Sequence, residues 1–262
     1  MKLHVRLLIL TLVTVALVAP ASAETRTETV TKTLAVSAGA SLMLSNDNGG
    51  VTVRSWDRPE VKIQAEKNAR GRSSAVREAM ENLRVEIESS GNAIDVRTRG
   101  PRRGGDSFFH WLARSSVDTW VNYEITVPRD FDLTVETVNG GIKAADLSGA
   151  LSFETVNGSI EVGRSAGAIS ASTVNGSIRV DMDRVDASRG LSFGTTNGKV
   201  VLVLPDGFRG DIDASTTNGS IRSDFPVTST SFRKTRLKGS INGGGPLLRI
   251  RTTNGSITLE RK

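Results

Sequence analysis

Leu151-Ser-Phe153-Glu-Thr155-Val-Asn157-Gly158-Ser-Ile160-Glu-Val162 is the stretch whose reading decides the fold. Leu151, Phe153 and Thr155 fall on one face of an extended segment, and Ile160 and Val162 on one face of the next. This period-two alternation is the signature of strands with one buried side. The same phrase returns along the second half of the chain, with Asn-Gly pairs beginning at 139, 157, 175, 197, 218 and 254. The steps are 18, 18, 22, 21 and 36 residues, the last being twice the first. A near-constant period of about 20 residues marks a quasi-one-dimensional repeat fold.

Asn-Gly suits a tight turn because both residues tolerate positive φ. Gly149, Gly167, Gly190 and Gly210 mark a second corner in each copy. Two architectures accommodate this grammar. Asn-Gly between alternating strands is a strong hairpin signal, which gives an antiparallel meander or sandwich. Near-identical copies at a constant step instead suit coils stacked in register. In such a stack Asn139, Asn157 and Asn175 would form an amide ladder, and the outward Lys143, Glu161 and Arg179 would alternate in charge. The favoured expectation is all-β: a β-solenoid-like stack of coils about 18–22 residues long. Between Asn218 and Asn254 lie Pro226, a Ser/Thr-rich run and Asn242-Gly-Gly-Gly245, so one coil there is expected to be looped out or irregular.

The first half is less regular. Leu42 to Val53, with Asn48-Gly49 at its centre, follows the repeat grammar, and Val61 and Ile63 are read as its continuation. Ser74 to Leu83 is the one good helix outside the N-terminal segment. Val76, Met80 and Leu83 share a face there, and Ser73 or Ser74 stands in the capping position. Arg84–Glu88, Ala93–Arg97 and Trp120–Val127 read as strands. The helix is expected to cover an open end or face of the sheet. The expected division is therefore a leader over 1–23, an N-terminal β region over 24–128 with helix 74–83 and loop 98–117, and a repeat region over 129–262 continuous with it.

Residues 1–23 read as an export signal: Lys2 and Arg6, then an apolar run from Leu7 to Val18, then Ala21-Ser22-Ala23. The product is expected outside the cytoplasm, either periplasmic or secreted to the cell surface. The formal charge of +6 includes those two cations and implies no nucleic-acid partner. Cysteine is absent, and His4 and His110 are the only histidines. This excludes thiol chemistry, disulfides and His/Cys metal centres. No cofactor or metal is expected.

Signal segment, single amphipathic helix, a strand ending in Val127-Pro128 and serial Thr-x-Asn-Gly-x-Ile units together resemble the bacterial putative-adhesin domain of unknown function, from about Thr31 to Leu259. The resemblance implies an envelope-associated β-solenoid-like protein without an established enzymatic activity. It supplies no catalytic motif, so no site residue carries over.

Two places could carry function. The segment from Thr98 to Val117 breaks the repeat grammar with glycines, arginines and aromatics. Arg102, Arg103, Phe108, Phe109, Trp111 and Arg114 are the candidate binding residues, either as anchors for a partner or as a plug folded onto the core. Glu136 and Glu154 stand 18 residues apart at equivalent outward positions and would stack about 5 Å apart, near the spacing used by retaining glycosidases. The next outward residues, Ser172, Gly194 and Ser215, make a shallow groove, so a solvated face is the better reading. The expected function is a non-catalytic exported envelope protein, an adhesin-like binding or scaffold module acting on an envelope protein, glycan or membrane surface. The alternatives are a self-assembling structural β-solenoid and, behind it, a polysaccharide-active enzyme.

Overall fold

The structure, a computed structural model, describes residues 15–18, 24–100, 117–185 and 190–262. Stacked strands build two ladders that share one core. Sheet 1 runs β6 (Arg84–Ser90), β7 (Ala93–Arg99), β3 (Ser41–Asn48), β9 (Asp132–Asn139), β11 (Ser148–Asn157) and the C-terminal half of β12 (Ile160–Asn175). It continues through β14 (Leu191–Asn197), β20 (Leu247–Asn254), β16 (Gly210–Asn218), β19 (Arg236–Ile241) and β18 (Val227–Arg233). Sheet 2 runs β1 (Val15–Val18), β2 (Glu24–Ala35), β5 (Glu60–Gly71), β8 (Val117–Pro128), β4 (Val51–Trp56) and β10 (Ile142–Ala145). It continues through the N-terminal half of β12, β13 (Ile178–Val185), β15 (Val200–Leu204), β21 (Ile257–Arg261) and β17 (Ile221–Ser223). Each Asn-Gly pair carries the chain from sheet 1 to sheet 2. Equivalent strands of successive coils pair in parallel, so the architecture is a β-solenoid and not a meander.

Parallel register places like on like. Leu133, Leu151, Ile169, Leu191, Leu248 and Ile212 make one inward row, and Val135, Phe153, Ala171, Phe193, Ile250 and Ala214 the next. All twelve are buried. A third inward row is polar. Thr155, Thr173 and Thr195 each donate from Oγ1 to the carbonyl of Gly140, Gly158 and Gly176 on the preceding coil, at 2.8–2.9 Å. Thr252 and Thr216 do the same with Gly198 and Gly255. A buried hydroxyl that donates across coils meets its desolvation cost and fixes the register as well.

The amide ladder is continuous. Asn139 donates to Asn48, Asn157 to Asn139, Asn175 to Asn157, Asn197 to Asn175, Asn254 to Asn197 and Asn218 to Asn254, each Nδ2 to Oδ1 at 2.7–2.9 Å. An inner member makes two rungs and an end member one. Asn175→Ala is therefore expected to cost about 1–2 kcal/mol, and Asn218→Ala about half as much. Urea midpoints of the two variants check the ratio, and equal losses would show that the rungs do not act as a chain.

The glycine of each pair has a different purpose from the one expected. Among the turn glycines only Gly49 has a left-handed φ, at 117°. Gly140, Gly158, Gly176, Gly198, Gly219 and Gly255 have none. Instead, a Cβ built on any of these six would lie 1.9–2.0 Å from the carbonyl oxygen of the neighbouring coil's glycine. Close backbone approach along the stack excludes a side chain there. Positive φ does occur at the opposite corner, at Gly149 and Gly167. It also occurs at Asp146 and Arg164, where the Arg164 guanidinium grips the Asp146 carboxylate with two 2.8 Å hydrogen bonds. That hydrogen bonding holds the half-buried Asp146 carboxyl below the usual carboxylate range.

The coil order departs from the chain order. The coil turning at Asn254 lies between those turning at Asn197 and Asn218, because β20 pairs with β14 on one side and β16 on the other. The residues between Asn218 and Asn254 are irregular, one of the two expected outcomes, but not a looped-out coil. β18 and β19 form an antiparallel hairpin, and β19 pairs antiparallel with β16 to close that end of sheet 1. Val61 and Ile63 likewise do not continue a coil, since β5 runs antiparallel to both β2 and β8.

The helix α1 spans Ser73–Asn82. Arg72, not a serine, holds its N-cap, without a side-chain capping bond. Val76, Ala79 and Met80 pack with Ala69 of β5 and with Val117 of β8, so the helix covers a face of the antiparallel end. At that end Asn46 replaces the ladder threonine. Its Nδ2 reaches the carbonyls of Asn48, Gly49 and Val121, and its Oδ1 accepts from Thr98. Thr98 Oγ1 in turn lies 2.7 Å from the Tyr123 hydroxyl, which leaves the phenol as donor. Burial pushes Tyr123 up to about 12, so it remains a neutral donor at physiological pH.

Candidate functional site

The outer face of sheet 1 is the best-formed surface among the described residues. It is set by the same alternation that makes the core: if Leu151, Phe153 and Thr155 point in, then Ala150, Ser152, Glu154 and Val156 point out. Parallel register repeats the pattern on each coil. One outward row reads Thr134, Ser152, Ser170, Ser192, a second Glu136, Glu154, Ser172, Gly194, and a third Val138, Val156, Val174, Thr196. Most of these side chains are small, which lowers the surface into two adjacent hollows of about 600 and 590 Å³. The first extends from Met43 and Asp95 across Ser152 and Ser170 to Gly190, and the second from Asp47 across Glu154 and Ser172 to Arg251.

Apolar exposure is concentrated on this face. Met43, Val138, Val156, Val174 and Leu247 are the exposed large hydrophobics among the described residues, each 39–42 % accessible. All five lie on outward positions of sheet 1. Scattered single apolar residues mean little, whereas Val138, Val156 and Val174 stack in one row as an apolar strip, with Met43 and Leu247 elsewhere on the same face. The outer surface of sheet 2 differs, carrying charges that neutralise one another. Lys143 lies 3.8 Å from Glu161, and Arg179 pairs with Glu260 at 3.4 Å. The expected alternation along Lys143, Glu161 and Arg179 is present, and as an exposed array it contributes little stability.

Glu136 and Glu154 do stack in register on the outer face. Beyond them come Ser172 and Gly194, and then Arg251, where Ser215 was expected, because β20 is inserted ahead of β16. Arg251 hydrogen-bonds Asp213 through Nη2 at 2.8 Å and also holds the Asp213 carbonyl through Nη1. That contact draws the Asp213 carboxyl below the usual carboxylate range. The face is therefore acidic toward β9 and β11 and basic toward β20. Among the described residues no three His, Asp or Glu side chains gather as metal ligands.

Arg102, Arg103, Phe108, Phe109, Trp111 and Arg114 lie outside the described residues, as does His110. The valine row was missed in the sequence, although its signal was there. In every Thr-Val-Asn phrase the valine has the parity of the outward residue before it (Glu136, Glu154 or Ser172) and not of the inward threonine.

Residues 148–260 match the model of the family described as Toastrack DUF4097. The match begins at β11 and includes the inserted coil and the closing hairpin. None of the curated proteins matches the chain. Among solved structures, a putative cell adhesion protein from Clostridium sporogenes ATCC 15579 is similar at 12 % identity and a TM-score of 0.46, over 90 % of this chain and 100 % of that one. A putative adhesin from Bacteroides fragilis NCTC 9343 is similar at 9 % identity and a TM-score of 0.30, over 89 % and 97 %. One from Parabacteroides merdae ATCC 43184 is similar at 11 % and 0.30, over 89 % and 96 %.

Proposed function

We propose that this chain is a non-catalytic, exported module of the bacterial envelope that works by surface binding, as an adhesin-like or scaffold element. One observation carries the reading: the five exposed large hydrophobics share the outer face of sheet 1, around a floor of serine, alanine and glycine. A rigid ladder with its register fixed by buried threonines offers such a face without further ordering on binding, which favours association. The export signal read in residues 1–23 supports an envelope location.

End-to-end growth of the solenoid is the weaker reading. β18 and β19 meet β16 antiparallel, which interrupts the parallel template at one end of sheet 1. At the other end β6 presents Arg84, Glu86 and Glu88 along its edge, a charged edge of the kind that discourages strand addition.

The test is co-sedimentation of the purified chain with isolated cell-wall sacculi and with vesicles of envelope lipid. Replacing Val156 and Val174 together by glutamate is expected to weaken retention about tenfold or more without changing the far-UV circular dichroism. Unchanged retention would remove this face as the working surface.

A further inference from the structure

We infer that the basic end of sheet 1, on β20, β16, β19 and β18, docks on a bilayer surface of anionic phospholipid headgroups. The inference rests on the reading of this face as an envelope-binding surface and names the partner of one end of it.

The charge is already concentrated along the chain. From 225 to 259 there is no acidic residue and there are six basic ones: Arg233, Lys234, Arg236, Lys238, Arg249 and Arg251. The rest of the chain holds 28 basic and 28 acidic residues, so the whole formal excess of +6 lies in this stretch. Folding then gathers it. Register places Arg249, Asp213 and Lys238 side by side in one outward row, and Arg251, Ser215, Arg236 and Arg233 in the next. Five exposed cations therefore share a patch about three strand spacings wide, roughly 14 Å. The only carboxylates on these four strands are Asp211 and Asp213. Asp213 is held by Arg251, and Asp211 accepts from the Ser240 hydroxyl. No ion pair joins Arg233, Arg236 or Arg249 to an acid among the described residues. Arg233 stands directly opposite Arg236, and like charges so placed cost stability unless an anion from outside lies over them.

Two features select a bilayer among polyanions. The patch is open: Arg233, Arg236, Lys238 and Arg249 line neither of the two hollows, so they suit a plane of phosphates and not one enclosed anion. Leu247 shares the outward side of β20 with Arg249 and Arg251, and it is 40 % exposed. A hydrated polymer offers nothing to an exposed leucine, whereas the headgroup boundary takes up apolar side chains flanked by basic ones. The acidic end of the face does not oppose this contact. Glu154 on β11 is five strand spacings from β19, about 24 Å, which is about three screening lengths at physiological salt.

Co-sedimentation of the full chain with phosphatidylcholine vesicles, with and without phosphatidylglycerol, tests the inference. Binding should require phosphatidylglycerol and fall as salt rises. Replacing Arg233, Arg236 and Arg249 together by glutamine should weaken it roughly a hundredfold, at about fivefold per charge. The melting temperature should stay the same or rise, because an opposed pair of like charges is removed. Arg54, Lys143 and Arg179 are exposed on the outer surface of sheet 2, and replacing those three by glutamine removes the same charge. That variant should bind nearly as the unmodified chain does, and equal losses from the two triples would show net charge at work, overturning the patch. Leu247→Ser should weaken vesicle binding several-fold; unchanged binding would make the patch a general polyanion surface and overturn the bilayer. A chain retained by sacculi in a Val156- and Val174-dependent way but not by phosphatidylglycerol vesicles would end this inference alone. A chain retained by neither would end both.

Discussion

Gly176→Ala is expected to destabilise the protein by about 3–5 kcal/mol, although it adds a single methyl group. The added Cβ would lie 1.9 Å from the Gly158 carbonyl oxygen and 2.5 Å from its carbon. Both atoms are backbone, so no rotamer change relieves the contact. The two coils would have to part by more than 1 Å to reach ordinary van der Waals separation, roughly 3.2 Å or more. That movement acts on the bonds that join them: Thr173 Oγ1 and the Gly158 carbonyl at 2.9 Å, Gly158 N–H and the Asn175 carbonyl at 3.1 Å, and the Asn175–Asn157 rung at 2.9 Å. Each such hydrogen bond is worth about 0.5–1.5 kcal/mol net, on top of the overpacking itself. In a chain of this size the loss corresponds to a fall in melting temperature of roughly 10 °C.

Gly194→Ala supplies the contrast. A Cβ there would meet nothing within 4 Å, and the strand φ lies outside the left-handed region. The change should leave stability the same or raise it by about 0.4–1 kcal/mol through lower unfolded-state entropy. Differential scanning calorimetry on the two variants decides the matter. If both glycines tolerate alanine alike, stacking distance is not what the Asn-Gly pair serves.

The sequence is legible here wherever a residue's role depends on its own strand. Leu151, Phe153, Thr155, Ile160 and Val162 are inward by alternation alone, and all five are buried. The asparagine ladder follows from a constant period, since stacking at fixed length puts equivalent residues side by side. Features that depend on which coil lies next to which are not legible in this way. The 36-residue step hides a coil placed out of order, because the chain can close its end with a hairpin and return. No local pattern distinguishes that from a looped-out copy. The reason for glycine is hidden too: Asn-Gly carries the same letters in a tight turn as in a stacked corner, and only the neighbouring carbonyl shows which rule applies. The binding face lies between these cases. Its valines were readable by parity, but their meaning comes from parallel register, which brings Val138, Val156 and Val174 into one row.

Phe153→Ala is expected to cost about 3–5 kcal/mol, the range for deleting a well-packed buried ring. Phe153 is fully buried, and in its inward row it sits between Val135 and Ala171. Ala171 in turn separates it from Phe193, which is 1 % exposed. From Val135 to Phe193 the row thus alternates in size, so both rings fill space that Ala171 leaves. Removing one leaves a run of small side chains and a cavity. The coils cannot close onto it, because their spacing is set by the backbone bonds, the threonine row and the asparagine row. Incomplete relaxation is what raises the cost of a cavity above the transfer free energy of the lost atoms. Phe193→Ala should behave likewise, and the double variant should depart from additivity by about 0.5 kcal/mol or more if the two cavities share the space around Ala171. Glu154→Ala, one residue along and outward, should cost under about 0.5 kcal/mol. Chemical denaturation of these four variants measures all the terms, and comparable losses for Phe153 and Glu154 would contradict the division into inward and outward rows from which the core and the binding face both derive.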